Sequence, residues 1–417
     1  MIEWSEQHLM IRDMVRRFVQ TEIVPNLEHL EHGDLPPYDV MRKLVTTLGV
    51  AEAARMRYET MKRRAHAAAT APAQTPTQPP PPERSAPVNA GDAVAMQVIP
   101  IIELSKYCPG MVTAMGVSMG LTAGAIMSRG TWAQKDRWAL PLLTLEKIGA
   151  WAITEPGSGS DAFGGMKATA RRDGEDYLLN GQKTFITNGP YADTIVFICK
   201  LDRGEADPRD RHVVSFILDK GMEGLVQSKP LRKMGMHSSP TGELFLDNVR
   251  AERDRLMGER EEAAGGRAGA KSTFGAERSG VVSMAYGMVE RCIELCTEYA
   301  RTRVQFGKPI GEFQLIQLKL AKMQVAYMNI RNMLFRQIDL ASHGKSLSFA
   351  EASANKLYAA QATMDVCLEA VQLFGGNGYM AEYQVEQLCR DAKVLQIYGG
   401  TDEIQTSQIA RSMLAGE

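Results

Sequence analysis

The chain lacks any imbalance of charge: 48 Lys and Arg stand against 49 Asp and Glu, a net charge of -1 in 417 residues. That balance gives no support for nucleic acid or an acidic membrane surface as a partner. Cysteine is scarce, with six residues scattered at 108, 199, 292, 296, 367 and 389. None of their spacings is that of a zinc site, and no metal is expected. Cys292 and Cys296 share a helix face, where a reduced core pair is expected and a reducing, cytoplasmic setting fits. The apolar runs read as too short to span a bilayer. The opening, Met1-Ile2-Glu3-Trp4-Ser5-Glu6, has no signal-peptide pattern. What is plentiful is methionine, 24 residues, which packs adaptably around long apolar groups. The length accommodates two or three domains with a real core.

Periodicity divides the chain. Ser5 to Glu22 reads as an amphipathic helix with Met10, Met14, Val15, Phe18 and Val19 on one face. Helices also read from about Tyr38 to Leu48 and Ala51 to Thr70, then a Pro-rich tract through Pro82 reads as extended, exposed and partly disordered. Residues about 51–90 are taken as a loop insertion. Helical patterns return at Asp92 to Ser105 and Met111 to Arg129. In the second, Gly116, Gly120 and Gly124 leave two readings open, room for a ligand chain or tight helix–helix contact. From Gly149 short β-rich runs follow one another, and Asn180-Gly181 between two of them reads as a hairpin turn. This is a β domain of about a hundred residues, closed or sandwich-like. From about Phe274 the pattern is helical again. Ile316, Leu320, Met323, Tyr327, Ile330 and Leu334 form the seam of a long bundle helix, and Ser348 to Phe374 stops at Gly375-Gly376. The expected organisation is α+β: a helical domain (1–148), a β domain (149–255) and a four-helix bundle (256–417).

Chemistry concentrates in a few stretches. Trp151 to Gly165 begins as an apolar strand, breaks at Pro156 and becomes a Gly/Ser loop with bare backbone N–H groups, suited to a phosphate or a ring nitrogen. Alone it is no more than a surface turn. Together, Ala152-Ile153-Thr154-Glu155-Pro156-Gly157-Ser158-Gly159-Ser160-Asp161 and Asn180 to Gly189, Arg301 to Ile310, Gln372 to Tyr379 and Arg390 to Thr401 closely resemble, in order, the motifs of the acyl-CoA dehydrogenase family. The resemblance covers nearly the whole chain outside about 51–90. It implies FAD, an acyl-CoA substrate, an electron-transfer flavoprotein as acceptor and a homotetramer built as a dimer of dimers. Ile153, Thr154, Gly159, Ser160, Phe185, Ile186 and Thr187 would then lie against the flavin ring. Arg303, Phe306, Gln314, Gln372, Phe374, Gly375 and Gly376 would meet the pyrophosphate and adenine side from a neighbouring subunit, with Thr401 and Glu403 also on the cofactor. Ser160, Phe274, Arg278, Gly400 and Arg411 would stand on the substrate side. The resemblance implies trans-2-enoyl-CoA formation, in which a carboxylate takes the α proton while a β hydride goes to flavin N5.

Many family members carry that carboxylate directly after Ile-Tyr in the penultimate motif. Here the segment reads Ile397-Tyr398-Gly399-Gly400-Thr401, and glycine cannot take a proton. Either the protein is an inactive relative or part of a mixed complex, or the base stands elsewhere. The isovaleryl-CoA and long-chain members place it on the helix opening the last bundle, and Glu277 of Phe274-Gly275-Ala276-Glu277-Arg278 falls there. Loss of one acid with gain of the other favours Glu277 as base over a first-turn Glu serving the helix dipole. Gly399 would keep its N–H as an oxyanion donor. Arg278, a quarter-turn away, is expected to steady the CoA or the helix. The small residues and the base position lean toward long or branched acyl chains. An oxidase or flavin monooxygenase of the same fold is the alternative.

Overall fold

A computed structural model describes residues 3–32, 36–70, 90–261 and 266–415. The tract 71–89 lies outside them, as do the side chains of 68–70, 208, 266–277 and 279. The architecture is α+β, with helices, then a sheet, then helices. The principal N-terminal helices are α1 (Glu6–Phe18), α2 (Tyr38–Thr47), α3 (Val50–Thr70), α4 (Ala90–Ser105) and α5 (Pro109–Arg129). On α1, Ser5 caps the first turn and His8 returns the bond, while Val15, Phe18 and neighbouring Val19 are buried. Met10 and Met14 are exposed, so the buried face is narrower than the sequence suggested. Helix α5 corrects another expectation. Its 21 residues are long and apolar enough to cross a bilayer, yet half of its most apolar window is buried inside the protein. Ser118 of α5 accepts the Gly149 N–H at 2.9 Å, which ties the helix to the first strand.

The sheet has seven strands: β1 (Gly149–Ala152), β2 (Thr169–Asp173), β3 (Asp176–Thr187), β4 (Thr194–Asp202), β5 (Val213–Asp219), β6 (Leu225–Gln227) and β7 (Thr241–Ala251). Strand β4 is central: β1 and β2 run parallel to it and β5 antiparallel. Its first eight residues are buried, which is why it reads as an unbroken apolar run. Asn180-Gly181 is not a hairpin. The turn falls at Asp173–Asp176 with Gly174 at φ +66°, and β3 runs through Gly181 with a register shift against β7. Gly181 sits at φ +148°, and a Cβ there would lie 2.6 Å from Ala168 Cβ, so glycine marks a bulge under close contact.

The C-terminal helices are α6 (Gly266–Thr302), α7 (Gln314–Ser342), α8 (Phe349–Phe374), α9 (Val385–Ala392) and α10 (Asp402–Ala415), with a two-stranded hairpin, β8 (Val304–Gln305) and β9 (Lys308–Pro309), after α6. Helix α6 begins before the expected Phe274; a packed helix propagates through Gly266 and Gly269 although each costs about 1 kcal/mol. N- and C-terminal helices share one core, in which Val15, Met41 and Ile102 join Val289, Ile330 and Leu373. Where helices and sheet meet, Glu31 accepts from Ser238 Oγ at 3.2 Å, and Asp391 of α9 accepts from the Met236 N–H.

Candidate functional site

Two strand ends come together first. Thr184 N donates to Thr154 O at 2.9 Å, which sets the loop leaving β1 beside the end of β3. A buried ion pair holds this junction from beneath. Lys183 Nζ donates to Ile153 O and to Glu155 Oε1, both at 2.9 Å, and the Glu155 carboxylate accepts from Lys167 N and Ala168 N at 2.7 and 3.0 Å. Burial pushes the Lys183 ammonium below its ordinary range, against the pull of Glu155. Asn188 fixes the far end of β3, donating to Ala114 O and Gly149 O at 2.9 Å. Above the pair, Thr154 and Thr187 are half-buried and their hydroxyls make no hydrogen bond with described residues. Gly159 and Ser160 are exposed, and Phe185 is 68% exposed at φ +57°. The side chains of Ile153 and Ile186 are buried, so only their backbone can face a ligand.

A second patch forms where α6 and α8 end. Tyr299 stacks on Phe374 at 4.0 Å between centroids, Arg303 N donates to Tyr299 O, and Asn377 donates to the Tyr299 hydroxyl at 2.9 Å. Arg303, Gln372 and the Gly375-Gly376 turn therefore adjoin one another, all exposed, with open space where a Cβ would stand on either glycine. Phe374 faces inward, so its side chain supports the turn rather than meeting a ligand. Phe306 tips the β8–β9 hairpin at φ +47° and is 94% exposed, edge-on to Phe313 beside Gln314. Among the described residues no hydrogen bond joins this patch to 153–160.

The third group surrounds Gly399 and Gly400, at φ +61° and +93°. Lys356 of α8, fully buried, donates to Gly400 O at 2.8 Å. Gln405 of α10 donates to Gly399 O and Gly400 O at 2.9 and 3.0 Å. Thr401 caps α10, accepting from Ile404 N at 3.4 Å. Glu403 is exposed, its carboxyl held below the usual range by its own backbone N–H and the Thr401 hydroxyl. Arg411 is exposed. Arg278 is buried: Nη1 donates to Ser353 Oγ at 3.0 Å and the guanidinium lies 4.1 Å from the Phe349 ring centre. It ties α6 to α8. The side chains of Glu277 and Phe274 lie outside the described residues; their backbone is part of α6. Gly116, Gly120 and Gly124 have nothing among the described residues within 4 Å of an added Cβ.

Sequence reasoning missed Lys183, Lys356 and Gln405. The available signal was a cation or amide at a register otherwise buried, as with Lys183 at a buried position near the end of β3.

This three-part architecture, with exposed Gly-rich turns and paired strand ends, offers open backbone suited to a phosphate-bearing ligand. Sequence profiles of the acyl-CoA dehydrogenase N-terminal, middle and C-terminal domains match residues 5–55, 150–249 and 264–414. An acyl-CoA dehydrogenase of Bacillus subtilis is 34% identical over 415 residues, 99% of either chain. A subunit of the caffeyl-CoA reductase–Etf complex of Acetobacterium woodii is 35% identical over 294 residues, 70% of this chain and 76% of its own. The structure of butyryl-CoA dehydrogenase from Megasphaera elsdenii superposes with a TM-score of 0.83 at 30% identity, covering 99% of each chain. The chain belongs to the acyl-CoA dehydrogenase family. It is an oxidoreductase and its cofactor is FAD. The residues fit that group: unengaged hydroxyls at Thr154 and Thr187, an exposed flat ring at Phe185, and an arginine beside two unobstructed glycines.

Proposed function

We propose that the chain removes the elements of hydrogen from Cα and Cβ of an acyl-CoA thioester, with Glu277 as the base. One observation carries this reading. Arg278 bonds Ser353 of α8, and Lys356, three residues further along the same helix, bonds the Gly400 carbonyl. Three residues are about one helical turn, so one stretch of α8 touches both the residue that follows Glu277 and the Gly399–Gly400 turn, which supports this reading. Position 277 also falls two turns before Met284 on one face of α6, and Met284 Sδ accepts from the Tyr398 hydroxyl at 3.4 Å.

Bound FAD would take the β hydrogen with its electron pair. Thr154, Thr187 and the backbone of 153–160 and 185–187 would hold the flavin edge, with Phe185 against it. Arg303, Phe306, Gln314, Gln372 and the Gly375-Gly376 turn of a second copy would hold the pyrophosphate and adenine side. Gly399 N–H would donate to the thioester oxygen, which acidifies the α proton, and Glu277, desolvated by the acyl chain, would accept that proton near neutral pH. Exposed Phe306 supports a homotetramer in which sites are shared between copies, and the Etf-complex relative supports an electron-transfer flavoprotein as acceptor. All six cysteines are free, which supports a reducing, cytoplasmic setting. The open glycine face of α5 supports room for a long or branched acyl chain.

An anaerobic panel of acyl-CoA thioesters, from butyryl to palmitoyl and including isovaleryl, tests the reading. At least one should bleach the flavin absorbance within seconds and yield 2-enoyl-CoA. A holoenzyme that no member of the panel bleaches is not this enzyme.

A further inference from the structure

Lys356 is unusual in having no exposed surface at all. Burying an ammonium costs several kcal/mol unless it is well paired, and here one hydrogen-bond acceptor is the carbonyl of a glycine turn, Gly400, at 2.8 Å. Asp402 Oδ1 stands 3.6 Å from the ammonium and balances its charge. Asp402 is itself held, accepting from Gln361 and Gln396 at 3.2 Å each. Gln405, also fully buried, spends its amide N–H groups on Gly399 O and Gly400 O. Two successive carbonyls are thus pinned from two helices. On the other side, Tyr398 N donates to Val394 O at 3.0 Å. The Gly399 N–H lies between these pinned groups and makes no hydrogen bond with any described residue.

A turn with both central φ angles positive and two glycines would be loose if left alone. Clamping its carbonyls removes that freedom and leaves one backbone donor without a hydrogen bond to any described residue. We propose that Lys356 and Gln405 are positioning residues: from α8 and α10 they hold the Gly399–Gly400 turn by its carbonyls, and so fix the Gly399 N–H on the oxygen of the bound thioester. Gly400 must stay glycine for the clamp to close, since a Cβ there would lie 2.7 Å from Gln405 Nε2. The inference rests on the thioester reading of the Gly399 turn.

The test uses the FAD-loaded holoenzyme and two probes, 3-thiabutyryl-CoA and 3-thiaoctanoyl-CoA. The acidic α carbon of such a thioester gives, once deprotonated, a long-wavelength absorbance beside oxidised flavin. The pH midpoint of that band reads α-carbon acidity in the site. In Lys356→Met and in Gln405→Leu the midpoint should move up by about one pH unit or more. kcat on the best acyl-CoA should fall about ten- to a hundredfold with KM little changed, while FAD content stays at parent level. Lys356→Gln, which keeps a donor, should recover part of the shift. If Lys356→Met does not fold, Gln405→Leu carries the same prediction alone. A parent enzyme that forms no band with either probe overturns the thioester reading and this inference together. A parent that forms the band, with an unmoved midpoint in the folded variants, overturns the positioning role and leaves the thioester reading standing.

Discussion

At Lys183 a cation has been taken wholly out of water to hold two backbone segments together. Its ammonium reaches Ile153 O and Glu155, and Glu155 in turn takes two N–H groups from 167 and 168. Removing one partner of such a pair leaves a buried charge without compensation, at about 3–5 kcal/mol. Lys183→Met should therefore lower the stability of the β domain by that order in a denaturant titration, and should release FAD. The double variant Lys183→Met with Glu155→Gln should recover much of the loss, because no charge is then stranded. An unchanged titration midpoint in the single variant would contradict the pairing. Individual residues were legible in the sequence only where a motif spelled them out. Thr154 and Thr187 are half-buried, and Phe185 and Arg303 are exposed. Lys183, Lys356 and Gln405 were invisible because their partners are carbonyls brought together by folding, which no pattern of side chains announces.

Among elements, α8 organises the candidate site. One of its faces is packed in the shared core, and within it Ser353 and Lys356 reach α6 and the Gly399–Gly400 turn. Its extent was legible from Ser348 to the stop at Gly375-Gly376, and the structure adds that Ser348 caps it. Strand β3 was less legible. Asn-Gly is a turn signal when strands pair locally, but here β3 continues into a pairing with β7, some sixty residues on, and the bulge at Gly181 absorbs the signal. Helix α7 carries an uncovered apolar stripe, Leu315, Leu318, Val325 and Met328, opposite its buried Met323, Ile330 and Leu334. A helix apolar on both faces is suited to packing against another body. If this stripe is an interface of the proposed homotetramer, Leu318→Lys with Val325→Glu should yield smaller species in sedimentation and lower FAD retention; an unaltered sedimentation coefficient would mean that the stripe is not an interface.

On the scale of the whole molecule, helices and sheet are joined through buried carboxyls. Burial, then the neighbouring Asp391 carboxylate, pushes Glu31 up to about 8. Burial raises Asp391 as well. The groups facing them are Lys233, lowered to about 8 by its own burial, together with Arg390, His237, Ser238 and Cys108. A carboxyl with a raised folded-state value stabilises the fold fully below its unfolded value. That contribution fades as pH rises through about 8. Tm should therefore drop between pH 5.5 and 8, and Glu31→Gln should flatten the slope while keeping the Ser238 bond. An equal slope in both proteins would remove Glu31 from the account. The three-part order of the chain was legible throughout, since periods near 3.6 and 2 separate cleanly along it. The sharing of one core by helices from both ends was not, because it depends on contacts between segments hundreds of residues apart. Flavin reduction by substrate is the most direct test of the central claim, that Glu277 replaces the acid missing at Gly399. In Glu277→Gln, with FAD content at parent level, the rate of anaerobic flavin bleaching by the best acyl-CoA should fall by about 10²–10⁴-fold. A rate within a few fold of the parent would contradict the assignment.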